Sequence, residues 1–301
     1  MRRAVALVAC FAVIAATAPA ARAQSEGGGD RVTVVASFSI LGDLVARVGG
    51  DRVAVTALVG PGGNAHVYVP TPAAARRVGA ARLLVVNGLG FEGWMGRLVQ
   101  ASASKAQVVV ASAGVVPRHD HAAHGDVPEA DPHAWQSVHN VSIYVSNIRD
   151  GLVAADPAGR TAYEANAASY LAELAGLDAD IRRKIAAIPP PRRKVVTTHD
   201  AFAYFAADYG IAFITAQGVS GETEPSARDI AQIIRTIRAQ NVPALFLESA
   251  VDPRLIRRIA AETGTRIGGS LFADTLDTTG PAATYVGMMR YNIRTLAQAL
   301  R

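Results

Sequence analysis

Short runs of β-branched and aliphatic residues recur along this chain, each followed by a stretch with helical spacing, and the alternation happens twice. The first series predicts strands at Arg31 to Ser37, Val53 to Val59, Arg82 to Asn87 and Gln107 to Val110, with helices at Ile40 to Val48, after Thr71-Pro72 and at Phe91 to Ala101. The second predicts strands at Lys194 to Thr198, Ile211 to Thr215, Ala244 to Glu248 and Arg266 to Gly269, separated by helices and closed by one from Pro281 to Leu300. Strands spaced by helices of this length build parallel β-α-β units rather than a sandwich. Two α/β lobes follow, each a mostly parallel sheet flanked by helices. Between them lie a helical stretch from Ser137 to Ala155 and a second from Pro157 to Ile188, which ends at Pro189-Pro190-Pro191 because proline cannot continue a helix. Unbroken, the second would reach about 45 Å and act as a rigid connector; the alternative is two shorter helices broken at Gly176.

The chain opens with Arg2-Arg3, an apolar run from Ala4 to Ala16 and the small-residue pattern Ala21-Arg22-Ala23, the anatomy of a secretory signal peptide over residues 1–23. The single cysteine, Cys10, lies inside that run. Leu7-Val8-Ala9-Cys10 has the form of a lipoprotein cleavage box, but cutting there leaves almost no apolar segment upstream, so an exported chain without a lipid is expected. A mature chain without cysteine gains nothing from disulfides, and any metal site in it must use His, Asp or Glu. Removing Arg2, Arg3 and Arg22, with no acid, lowers the formal charge from +5 to +2. The other basic residues are scattered without interleaved aromatics, which argues against nucleic-acid binding.

Seven histidines exist in the whole protein, and His119, His121, His124 and His133 share one Pro-punctuated stretch that ends at Trp135. Asp120, Asp126, Glu129 and Asp131 are interleaved with them. Imidazole and carboxylate together suit zinc and other borderline divalent metals. His133 differs from its neighbours because Pro132 and Trp135 give it an ordered flank, whereas a solvated polar loop is an equal reading of the first three.

Polar residues at the ends of the expected strands form a short list: His66, His133, His199, Asp274 and, less directly, Glu248. Ligands of parallel sheets gather beyond the carboxyl ends of strands. Three imidazoles and one carboxylate complete a tetrahedral zinc shell without thiolate and leave a net charge of about +1 at its centre. Asp131, Asp200 or Glu248 is the candidate to orient an imidazole from behind. No His-Glu-x-x-His helix is present, so a zinc hydrolase has no motif in its favour.

These residues fall in motifs that resemble the zinc/manganese class of periplasmic solute-binding proteins of metal ABC transporters (cluster A-I). The motifs are His66-Val-Tyr-Val-Pro-Thr-Pro72, Asn87-Gly-Leu-Gly-Phe-Glu-Gly-Trp94, Asp131-Pro-His133-Ala-Trp135, Thr198-His199-Asp-Ala-Phe-Ala-Tyr-Phe205, Glu224-Pro-Ser-Ala227 and Ser270-Leu-Phe-Ala-Asp274-Thr-Leu276. The resemblance covers nearly all of the mature chain. It implies two lobes joined by one long helix, with one metal ion in the cleft held by His66 and His133 from the first lobe and His199 and Asp274 from the second. It implies lobes at 24–136 and 191–301, a helical connector at 137–190, and a His-rich loop at 118–130. It also implies delivery of the ion to an ABC permease and its ATPase by a monomer that is not an enzyme, with a periplasmic metallochaperone as a candidate donor.

Manganese-type relatives usually carry glutamate at the third ligand position, so His199 favours Zn2+ over Mn2+. A manganese or iron carrier is the alternative, with an exported zinc hydrolase and a metal-dependent adhesin behind it. The chain departs from the family pattern at Val69, where an acid is common, at Gln136-Ser137, where Leu-Asp is usual, and in lacking the disulfide of some zinc-type relatives. The His-rich insert holds only His119, His121 and His124, which suits weak capture or hand-over rather than storage. His139 has no assigned role.

Overall fold

The computed structural model describes residues 31–119, 130–218 and 225–301. Two four-stranded parallel sheets organise them. The first contains β1 (Val32–Phe38), β2 (Val53–Val59), β3 (Leu83–Val86) and β4 (Gln107–Val110) in the order β2-β1-β3-β4. The second contains β5 (Lys194–Thr197), β6 (Ala212–Thr215), β7 (Leu245–Glu248) and β8 (Ile267–Leu271) in the order β6-β5-β7-β8. In each sheet the first strand sits inside, so strand order reverses beside it, and the carboxyl ends there open a crevice. In the first sheet β1 and β2 run in one register from Val32 opposite Val53 to Phe38 opposite Val59.

The helices cover these sheets: α1 (Ser39–Gly49), α2 (Pro72–Ala80) and α3 (Met95–Ser102) in the first half, then α4 (Val138–Ala155) and α5 (Arg160–Ala186) between the sheets, and α6 (Ala203–Tyr209), α7 (Ala227–Gln240), α8 (Arg254–Thr263) and α9 (Tyr285–Leu300) in the second. Thr71 caps α2 as its side chain accepts the Ala74 N–H at 3.2 Å, and Pro72 fills the first turn, where a missing N–H costs nothing. Ser137, one of the departures from the family pattern, caps α4 by accepting the Asn140 N–H at 3.2 Å.

The connector α5 runs unbroken through Gly176, a length of about 40 Å over its 27 residues. Tyr163, Ala167, Tyr170, Leu174, Leu177, Ile181 and Ile185 are buried along it at steps of three or four, which makes one apolar stripe. That stripe packs on α1, α4 and α9, so one continuous core joins both sheets. Gly176 sits on the exposed side, where burial of Leu174 and Leu177 holds the helix despite the poor propensity of glycine.

Two helices start later than their sequence pattern predicts. α3 begins at Met95 rather than Phe91 because Gly88, Leu89 and Gly90 all take positive φ and the Glu92 carboxylate accepts the N–H groups of Asn87 (2.6 Å) and Gly88 (3.1 Å), which holds a turn. A Cβ at Gly88 would lie 2.6 Å from Val110 and 2.9 Å from Ser112 Oγ, so only glycine fits there. α9 begins at Tyr285, since Gly280–Ala282 makes one separate turn and Thr284 caps the helix through the Gly287 N–H.

Candidate metal centre

His199 and Asp274 stand just beyond strand ends, His66 and His133 on the longer segments that follow β2 and β4, and each segment is fixed by hydrogen bonds. β2 opens into the Gly60 to Pro72 loop, in which the His66 N–H donates to Asn64 Oδ1 at 2.9 Å and the indole N–H of Trp94 donates to the Ala65 carbonyl at 2.9 Å. Asn87 donates to the Pro132 carbonyl at 2.9 Å and sets the path of Asp131-Pro132-His133. His199 follows the end of β5, and Asp274 follows β8 on a segment whose Ala273 carbonyl accepts from Trp135 Nε1 at 2.9 Å and from Gln136 Nε2 at 2.7 Å. Gln136, the other departure from the family pattern, is therefore a strap between the two halves. Further straps run from the Leu276 N–H to Ser39 Oγ at 3.0 Å, from the Gly62 N–H to the Leu276 carbonyl at 3.0 Å, and from the Tyr285 hydroxyl to the Trp135 carbonyl at 2.8 Å.

His66, His133, His199 and Asp274 converge so that one ligand-type atom from each lies within 4.8 Å of all the others. His66 Nε2 is 3.2 Å from His133 Nε2 and 3.5 Å from Asp274 Oδ2. His133 Nε2 is 3.5 Å from Asp274 Oδ1, and His199 Nε2 is 3.1 Å from Asp274 Oδ2. Four donors bound to a tetrahedral ion at zinc distances stand about 3.3 Å apart, so the closest pairs in this group already have the spacing of one shared cation. Phe91 meets His66 edge-on at 4.8 Å and Trp135 lies 5.1 Å from His133, which leaves the two rings little room to rotate.

Two of the three imidazoles are held from behind by carboxylates. Asp131 Oδ1 lies 2.8 Å from His133 Nδ1 and also accepts the His133 backbone N–H at 2.9 Å. Glu248 Oε2 lies 2.5 Å from His199 Nδ1, while Oε1 accepts the backbone N–H groups of Thr198 and His199 at 2.5 and 3.1 Å. With a proton on Nδ1, His133 donates to Asp131 and turns its Nε2 lone pair to the centre, the arrangement that prepares a histidine for a metal, while Glu248 stands as the ion-pair partner of His199. Burial alone would lower the proton affinity of His199, but the charges of Glu248 and Asp274 outweigh it and raise the pKa well above the ordinary histidine value. Burial alone would raise the pKa of Asp274; the positive partners His199 and His133 instead hold it well below the usual carboxylate range.

Of the three candidates for orienting an imidazole, Asp131 and Glu248 stand against rings, and Glu248 rather than the adjacent Asp200 takes His199. His119 lies at the neck of the His-rich stretch, paired across an antiparallel bridge with Ala130, and is not in the converging group. His121 and His124 fall outside the described residues. His139 is exposed on α4 and Val69 is 79% exposed on the loop of His66. Sequence reading passed over Glu92, a half-buried carboxylate that takes the Ser37 hydroxyl at 2.6 Å along with the two N–H groups of the Asn87 turn. Its only sequence signal is its place in the Asn87 to Trp94 motif. A cavity of about 620 Å³ opens onto His66, His199 and Asp274, between Asn64 on one side and α7 and α8 on the other.

Residues 34–299 match the ZnuA model, described as zinc-uptake complex component A, periplasmic. The chain belongs to the ZnuA family. Within that family it is 33% identical over 295 residues to the manganese-binding lipoprotein MntA of Halalkalibacterium halodurans, spanning 98% of this chain and 97% of the relative. It is 31% identical to the iron-binding protein YfeA of Yersinia pestis, over 97% of this chain and 93% of that one. The periplasmic zinc-binding protein TroA of Treponema pallidum superposes with a TM-score of 0.84 at 31% identity, over 90% of this chain and 99% of TroA. A manganese-bound periplasmic metal-binding protein from Candidatus Liberibacter asiaticus superposes at 0.81 with 29% identity, over 90% and 100%. The ZnuA-family relatives are named as binding components, not as enzymes. Among the described residues no helix is long and apolar enough to cross a membrane.

Proposed function

We propose that this chain captures a divalent transition-metal ion outside the cytoplasm and hands it to an ABC permease driven by its ATPase, with Zn2+ as the cargo and His66, His133, His199 and Asp274 as its ligands. The observation that carries this is the convergence of three imidazoles and one carboxylate, two of the rings held from behind by buried carboxylates. Relatives are named for manganese, iron and zinc alike, so the choice of zinc rests on donor chemistry. Nitrogen-rich, four-coordinate sites suit Zn2+, whereas Mn2+ prefers oxygen donors and higher coordination. A shell closed by four protein ligands also leaves no position for the activated water of a hydrolase.

The working parts in this reading are a first lobe over 24–136, the helical connector 137–190 and a second lobe over 191–301. Residues 1–23 direct export to the periplasm. Several relatives are named lipoproteins, which gives no support to an unlipidated chain, and mass spectrometry of the mature N-terminus decides between cleavage after Ala23 and lipid on Cys10.

Metal-stripped mature protein titrated with Zn2+ and Mn2+ in competition tests the assignment. Zinc at a thousandfold excess over its dissociation constant adds about 4 kcal/mol of stability. A melting temperature that does not respond to zinc rejects the reading, and a stronger response to manganese transfers the site to the manganese alternative.

A further inference from the structure

Tyr204 lies on α6, five residues beyond His199, and its ring is buried at 4% exposure. Its hydroxyl accepts the Arg118 N–H at 2.9 Å and donates to the Asp131 carbonyl at 2.9 Å. Those two residues also bond each other, as the Asp131 N–H donates to the Arg118 carbonyl at 2.8 Å, and the next pair outward is the His119–Ala130 bridge. The two ends of the His-rich segment thus come together as a narrow neck, and one phenol from the second half of the molecule clamps it.

The clamped residue is the one that holds His133. Asp131 Oδ1 takes both the backbone and the ring N–H of His133, whereas Oδ2 is buried without a hydrogen-bond partner among the described residues. Among the described residues no other side chain hydrogen-bonds that carboxylate, so its aim follows from the direction of the Asp131 Cα–Cβ bond. That direction is set by the peptide planes on either side, one bonded to Arg118 and the other to Tyr204. We propose that Tyr204 is a positioning residue for His133 that acts through Asp131. It ties the neck of the His-rich segment and a ligand of the first sheet to the helix that follows His199 in the second. Order in the neck and metal occupancy are then linked, and by reciprocity each favours the other. The inference rests on the reading of His133 as a metal ligand.

A double-mutant cycle on the full mature chain tests it, with zinc affinity measured against a chromophoric chelator and amide hydrogen exchange followed at Arg118 and Asp131 with and without zinc. Tyr204→Phe, which removes the hydroxyl and keeps the ring, is expected to weaken zinc binding about tenfold, and Asp131→Asn by ten- to a hundredfold. The double variant should bind no worse than Asp131→Asn alone, because Tyr204 works through that carboxylate. Zinc-dependent protection of the two neck amides should be present in the wild type and absent in Tyr204→Phe. Should Tyr204→Phe fold poorly, the wild type alone decides, since zinc must protect the Arg118 and Asp131 amides and unchanged exchange there would overturn the proposal. Wild-type affinity in these variants, or losses that add, would overturn the proposal while leaving the metal site intact. A wild-type protein that binds no zinc would overturn both.

Discussion

Glu248 Oε2 lies 2.5 Å from Nδ1 of His199, and its other oxygen holds the backbone N–H of the same histidine at 3.1 Å. One buried carboxylate therefore sets both where the ring starts and how it is turned. Replacing it with the isosteric amide, Glu248→Gln, keeps the shape and removes the charge that makes His199 a strong donor. Zinc affinity should fall ten- to a hundredfold in a competition titration, with the fold intact by circular dichroism.

The ligands and the His-rich segment separate by mutation. His199→Ala should weaken zinc binding far more than the combined replacement of His119, His121 and His124, because a corner of the shell is lost in one case and an accessory stretch in the other. Isothermal titration of both variants decides it, and equal losses would mean that the two groups have their roles exchanged.

Asp156 caps the end of α4, where Arg52 Nη2 and the Tyr163 hydroxyl each reach its Oδ2 at 2.8 Å. Its partial burial opposes ionisation, but those hydrogen bonds outweigh it and hold the carboxyl below its ordinary pKa. A carboxylate with a depressed folded pKa contributes stability that is complete above the unfolded value of about 3.9 and is lost as pH falls through the folded value. Thermal melts of the zinc-free protein between about pH 5 and 2 should therefore show a steeper acid loss in the wild type than in Asp156→Asn.

Gly176→Ala should stabilise the protein by up to about 1 kcal/mol, since the site is an exposed interior position of α5 and no atom stands within 4 Å of the Cβ to be added. Zinc affinity should not change. Urea denaturation of the zinc-free protein measures the first and chelator competition the second.

Most of the architecture was legible along the chain because its signals are local. The strand runs at Val53 to Val59 and Gln107 to Val110, the Thr71-Pro72 helix start and the triple-proline stop each depend on neighbours a few residues away, and each element stands where they put it. The start of α3 was not legible. Phe91 has the spacing of a helix start, yet the Glu92 carboxylate and the left-handed glycines before it hold a turn, and neither effect leaves a periodicity. Gly176 carried the opposite ambiguity, which burial of the stripe on α1, α4 and α9 resolves in favour of one helix.

What the sequence by itself determined is the residue chemistry and the local elements: a chain without cysteine after Cys10, parallel α/β units, and three histidines and an aspartate on segments that follow strands. What only the tertiary structure decided is which groups touch. Asp131 is two residues from His133 and meets its ring, so this contact lies within reach of a reading along the chain. For His199 the same proximity points to Asp200, whereas the partner is Glu248, 49 residues away. β5 pairs in parallel with β7, which brings their carboxyl ends side by side and places Glu248 beneath the histidine. Pairing between distant strands is a property of the assembled sheet, because a carboxylate and an imidazole so far apart along the chain meet only after both strands have found their places in it.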